Sequence, residues 1–152
     1  MSALVTGANG FIGQRLLEPG DRALVRRPIG LGDEVVGDLL DPASLASACE
    51  DVETVFHCAA LTPLSVRDAE LLWRVNVEGT QNLLEAAGQA GVRHFVFFSS
   101  VAAMSRNGEN CIDEDLPGEP STPYGRAKRA AEEAVLEAGA KYGMHVVNLR
   151  LP

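Results

Sequence analysis

Leu4-Val5-Thr6-Gly7-Ala8-Asn9-Gly10-Phe11-Ile12-Gly13 places glycines at i, i+3 and i+6 between a short apolar strand and an apolar helical start. Each glycine has a physical reason. Gly7 permits the tight turn out of the strand, Gly10 clears a Cβ from the path of a pyrophosphate, and Gly13 lets the helix lie close on the sheet. The helix start adds unpaired N–H groups and the positive end of a dipole, both suited to phosphate. Gly7, Asn9, Gly10, Phe11, Ile12 and Gly13 are therefore candidate contacts of a bound dinucleotide.

The chain has 152 residues, 46% hydrophobic and 22% charged, the proportions of one globular domain over 1–152 with a real core. Its formal net charge is −8, with no basic stripe, which argues against nucleic acid or an anionic membrane surface as partner. No apolar run nears the roughly 18 residues of a membrane span. The N-terminal stretch reads as a core strand, not a secretory signal. Cys49, Cys58 and Cys111 are odd in number and widely spaced. They suit neither a disulfide framework nor a zinc site, so no metal is expected and a reducing cytoplasm is the expected location.

Apolar strands alternate with amphipathic stretches, the pattern of an α/β doubly wound parallel sheet with helices on both faces. Strands are expected at 3–6, 22–25, 34–36, 54–57, 94–98 and 145–149. The expected helices are 11–18, 43–49, a long one near 67–90, and 123–142. In the long one, Leu72, Val75, Gly79, Leu83 and Ala86/Ala87 recur at three- and four-residue spacing, so one stripe faces the sheet. Asp41-Pro42 reads as an N-cap followed by proline at the first helical position. Residues 105–122, rich in Gly, Pro, Asn and acids, read as a long loop. Glu18-Pro19-Gly20 stops the first helix after about two turns, short for a crossover. The sequence ends as a strand finishes, which suggests a fragment lacking a substrate lobe.

Tyr124 and Lys128 stand four residues apart, on one helix face. A free phenol titrates near 10. A neighbouring ammonium, and the positive ring of an oxidised nicotinamide, would favour the phenolate and let Tyr124 take a hydroxyl proton. Ser99-Ser100 closes the fifth strand at the edge where ligands gather in open parallel sheets, and a hydroxyl there can orient a reacting oxygen. His94 and His145 sit at strand starts and read as structural. Asp113, Glu114 and Asp115 read as a solvated loop rim.

With these pieces in this order the chain resembles the short-chain dehydrogenase/reductase superfamily, in its extended branch of NAD-dependent epimerases and dehydratases. The matching segments are TGANGFIG at 6–13, GDLLD at 37–41, HCAA at 57–60, NVEGTQNLLEAA at 76–87, FSS at 98–100 and YGRAK at 124–128. The resemblance implies a Rossmann fold of strand order 3-2-1-4-5-6 and a catalytic Ser100, Tyr124 and Lys128, with Lys128 also on the nicotinamide ribose. It implies that Asp38 and Leu39 meet the adenine and that Ala59 and Ala60 line the cofactor by their backbone. It gives His57 a positioning role near the cofactor and Asn76 a part in steadying the active-site geometry. It also implies a homodimer built on the two long helices.

After the second strand the chain has Val25-Arg26-Arg27-Pro28, where NAD-specific relatives place an acid for the ribose hydroxyls. Guanidinium groups at Arg26 and Arg27 suit a phosphate, so NADP is expected over NAD. The implied function is an NAD(P)-dependent oxidoreductase or epimerase acting on a secondary alcohol or ketone, on a nucleotide sugar or a smaller carbonyl compound. The alternative is a dinucleotide-binding sensor or scaffold without chemistry. Val101-Ala102-Ala103 stands where dehydratases carry a second acid, so nothing supports dehydration.

Overall fold

The computed structural model describes residues 2–104 and 119–152. Six strands, β1 (Ala3–Thr6), β2 (Arg22–Val25), β3 (Asp33–Val36), β4 (Thr54–His57), β5 (His94–Ser100) and β6 (His145–Leu151), form one sheet in the order β3-β2-β1-β4-β5-β6. Every neighbouring pair is parallel, and the order is the expected one. All four residues of β1 are buried, as a central strand covered on both faces requires.

One face carries most of the core. Leu4, Val55, Phe95 and Phe97 pack there beneath α2 (Pro42–Cys49), α4 (Gly79–Gln89) and α5 (Pro123–Tyr142). The other face holds a smaller cluster, Val5, Ala23 and Val25 with Leu17, Leu31 and Phe56. Among the described residues its helical cover is α1 (Gly13–Leu16). The expected helix over 11–18 is thus one turn, because Leu17 leaves it in an extended conformation. A four-residue helix sums few peptide dipoles, so the phosphate-binding argument falls on the loop amides and not on a macrodipole.

The other helices form where their caps are. Asp41 accepts from Ala43 N, with Pro42 at the first position of α2. Thr122 accepts from Gly125 N, and Gly143 closes α5 in the left-handed region at φ 68°. The expected single helix near 67–90 is instead three pieces. α3 (Ala69–Trp73), capped by Asp68, runs into a π turn at Arg74–Glu78 and then into α4. The extra residue in that turn has a partner across space. Asn76 Oδ1 accepts from Leu61 N at 2.7 Å, and its Nδ2 donates to Leu61 O at 2.8 Å. Both bonds draw the turn toward the segment after β4, a common setting for π bulges. The acidic cluster at 113–115 and Cys111 lie outside the described residues.

Candidate active site at the carboxyl edge of the sheet

The glycine loop follows β1, and its backbone meets the segment leaving β4. Gly7 has φ +65°, and a Cβ on it would lie 2.8 Å from Ala59 N. A Cβ on Gly13 would lie 2.3 Å from Gly7 O. Both positions therefore require glycine, one for its backbone conformation and one for close approach. Asn9, Gly10 and Phe11 are exposed at the loop tip, and Ile12 is half-buried. Arg15 stacks its guanidinium on the Phe11 ring at 3.9 Å. Ala59 and Ala60 are half-buried beside this loop, at the point between β1 and β4 where the strand order reverses.

A buried hydrogen-bond chain fixes this edge. His57 is fully buried, its Nδ1 2.7 Å from Thr6 Oγ1 and its Nε2 2.9 Å from Thr80 Oγ1. Thr80 donates its proton to Asn76 O at 2.8 Å, so its oxygen must accept from His57. Nε2 therefore carries the hydrogen, and Nδ1 accepts from Thr6. Thr6 Oγ1 in turn accepts from Ala59 N at 3.1 Å. Burial, reinforced by the Lys128 charge, pushes His57 down to about 3. The imidazole is a neutral strut between β1, β4 and α4.

The second half of the site is where α5 meets the end of β5. Lys128, 3% exposed, donates from Nζ to Phe98 O at 2.7 Å. Its ammonium lies 4.6 Å from the centre of the Phe97 ring and 6.0 Å from that of Tyr124. Burial brings Lys128 down to about 8, against opposing pulls from Cys58 and Glu132. The half-buried Cys58 thiol is pushed up to about 11 by burial, with Lys128 acting the other way. Ser100 accepts from Ala102 N at 3.1 Å and pulls the Tyr124 phenol down.

The balance at Tyr124 corrects one expectation. Its phenol lies above its ordinary value because burial outweighs the lowering by Ser100. The lowering expected from Lys128 is not among the causes, since that ammonium is turned to the Phe98 carbonyl. Spacing on one helix face brought the two side chains together without pairing them.

Other expected contacts fare unevenly. Arg26 and Arg27 are exposed just past β2. Asp38 is exposed and accepts from Leu40 N within its own turn, at 2.9 Å. Leu39 is a core residue, 8% exposed and pressed against Gly79. Sequence reasoning missed Thr6, Thr80, Glu132 and Arg150, and gave Ser99 only as a strand-end hydroxyl, without its bond to Glu132. Glu132 had a visible signal, one further turn along the Tyr124–Lys128 face.

This arrangement can be compared with known proteins. The model of the NAD-dependent epimerase/dehydratase family matches residues 3–152. The chain belongs to that family. It is 36% identical to sterol demethylase protein B of Methylococcus capsulatus over 97% of its own length and 50% of that protein. A short-chain dehydrogenase/reductase superfamily protein from Agrobacterium tumefaciens, solved with bound NAD, is 38% identical with a TM-score of 0.87. That match covers 99% of this chain and 48% of the other. The UDP-glucose 4-epimerase of Thermus thermophilus in complex with NAD is 34% identical with a TM-score of 0.80, over 99% of this chain and 54% of the other. The chain thus spans about half the length of the relatives it matches. Among the described residues no helix is long and apolar enough to cross a membrane.

Proposed function

We propose that the chain forms the dinucleotide half of an oxidoreductase or epimerase acting on a secondary alcohol or ketone, with Ser100, Tyr124 and Lys128 at the reacting end. The observation that carries this reading is the meeting of Ser100, Tyr124 and Lys128 at the carboxyl end of β5, on the same sheet edge as the exposed glycine loop. A nicotinamide dinucleotide fits that edge. The loop tip at Asn9 and Gly10 is exposed, while the close contacts of Gly7 and Gly13 hold its base rigidly. The Gly10 amide is already given to Gly7 O at 2.8 Å, so amides of Asn9, Phe11 and Ile12 would hold the pyrophosphate over the bare Gly10 backbone, and the backbone of Ala59 and Ala60 would line the path to the nicotinamide. When bound, the nicotinamide supplies hydride acceptance and return.

The chain's own residues do the rest. Ser100 accepts from Ala102 N, which leaves its hydroxyl proton to donate, and it can orient a substrate oxygen beside Tyr124. Tyr124 holds its proton in the state described and is suited to give it to a ketone oxygen; taking one from an alcohol requires stabilisation of the phenolate. Lys128 is the cation that can swing from Phe98 O toward the phenol and a ribose hydroxyl.

Substrates named for the relatives range from a UDP-sugar to, by its name, a sterol, and we place this chain's substrate among nucleotide sugars or smaller carbonyl compounds. The cofactor preference is NADP, supported by Arg26 and Arg27 past β2. Tyr124→Phe tests the whole reading: dinucleotide-linked turnover across secondary alcohols and UDP-sugars should fall at least about a hundredfold with dinucleotide affinity kept. An unchanged rate removes the mechanism. Binding of the dinucleotide with no turnover of any substrate favours a sensor or scaffold.

A further inference from the structure

Two successive residues at the end of β5 are gripped by different turns of α5. Phe98 O accepts from Lys128 Nζ at 2.7 Å and Ser99 Oγ donates to Glu132 Oε1 at 2.6 Å, and the next residue, Ser100, acts on the Tyr124 phenol of the same helix. The Ser99 grip is the one the proposed chemistry leaves unused. Glu132 is 2% exposed, and a carboxylate that deep is retained only when paired and hydrogen-bonded. Its pairing is extensive. Arg150 donates from Nε to Oε1 at 2.9 Å and from Nη2 to Oε2 at 2.8 Å. Arg129 Nη1 stands 3.9 Å from Oε2 on the same helix, and Asn148 Nδ2 donates to Glu132 O at 3.3 Å. One side chain of α5 thereby ties together the ends of β5 and β6.

We propose that Glu132 is a positioning residue of this site, a buried carboxylate that locks the ends of β5 and β6 onto α5 and so fixes where β5 presents Ser100 to Tyr124. This rests on the reading of Ser100 and Tyr124 as the reacting pair. Ser99 and Ser100 are adjacent, so a shift of the Ser99 hydroxyl moves the next Cα as well. Arg150 fixes the carboxylate plane through a two-point fork, leaving the Ser99 bond little angular freedom. Lys128 faces Tyr124, with Cys58 acting on Lys128 from β4's side, and the groups facing Glu132 are Ser99, Arg129, Arg150 and Lys128. From α3 and the π turn, Leu72 and Val77 pack in the same cluster as Tyr124.

The sequence holds two tyrosines, Tyr124 and Tyr142, so ring-labelled tyrosine gives two NMR signals, assigned by Tyr124→Phe. Ser100 pulls the Tyr124 titration down against burial. In Ser99→Ala, which keeps the Glu132–Arg150 fork, and in Glu132→Gln, that titration should move up relative to the unmodified chain. Turnover in both variants should fall with KM nearly unchanged. A wild-type Tyr124 titration in a folded Ser99→Ala overturns the proposal, even if Glu132→Gln fails to fold. The titration needs no substrate, so an upward shift in a protein that turns over nothing sinks the enzymatic reading and leaves the Glu132 role standing.

Discussion

Nε2 of His57 donates to Oγ1 of Thr80 at 2.9 Å because Thr80 has already given its own proton to Asn76 O. That direction, carried on through Nδ1 to Thr6 and Ala59, decides the tautomer of a fully buried imidazole. Asn76 holds both backbone groups of Leu61, so the same network supports the β4 segment at two points. A network satisfied at every member is rigid, and breaking any link leaves a buried polar group unpaired.

His57 should stay neutral through the working range. Its folded value near 3 lies below the ordinary 6.5, so the unfolded chain binds the extra proton between those limits. Stability should therefore fall as pH drops through that window, by at most about 1.4 kcal/mol per pH unit from this group. In His57→Phe the pH-dependent part should vanish, while overall stability drops by about 2–3 kcal/mol from the unpaired Thr6 and Thr80 hydroxyls. Urea unfolding of both proteins at pH 5 and 7 checks this. Nitrogen NMR should show the Nε2–H form throughout, and an imidazolium at pH 5.5 would falsify the assignment.

At Lys128 the site works against the fold. Burial holds it near 8, well under 10.5, so the unfolded chain binds more protons between the two values and stability rises with pH across them. Lys128→Met should remove that rise. At pH 7 it should also raise the unfolding free energy by about 2 kcal/mol, since a desolvated charge is lost against one bond to Phe98 O. Turnover should disappear in the same variant. Denaturant melts showing a clear loss of stability would mean that the ammonium is a net structural support.

Gly13→Ala tests close approach apart from conformation. The added Cβ would meet Gly7 O at 2.3 Å, a backbone atom held in the loop, so about 2–4 kcal/mol of stability and the dinucleotide affinity should go together. Gly20, at φ +94° with nothing within 4 Å, should cost only about 1–2 kcal/mol as alanine, through backbone strain. Equal losses in thermal melts would show that the loop makes room for the Gly13 Cβ and that close approach is not what requires glycine there.

How far the sequence reaches can be seen in single elements. The bounds of β1, β2 and β4, and of the helix from Pro123 to Tyr142, match their expectation, because caps and alternation are local signals: Thr122 and Pro123 start that helix and Gly143 ends it. The π turn was not legible. Apolar spacing tolerates one inserted residue, and what selects it is Asn76 reaching Leu61, a tertiary contact. The partner of Lys128 was hidden for a similar reason, since a backbone carbonyl such as Phe98 O leaves no mark in the sequence. Leu39 carries the family motif, yet its side chain belongs to the core.

The cofactor preference is the reading most exposed to test. The Thermus and Agrobacterium relatives were solved with NAD, whereas this chain turns two exposed guanidinium groups outward past β2. A 2′-phosphate offers them charge-assisted bonds that a bare diol does not. NADPH should bind at least about tenfold more tightly than NADH at low salt, a difference of about 1.4 kcal/mol. Because both arginines are exposed, that ratio should shrink as ionic strength rises, which contact with a buried partner would not show. The double variant Arg26→Ala, Arg27→Ala should lose the preference through weaker NADPH binding, with NADH affinity nearly constant. Tighter NADH binding in the unmodified chain would reverse the assignment and leave the adenosine end to Asp38, which keeps Oδ2 to accept a bond while Oδ1 holds Leu40 N.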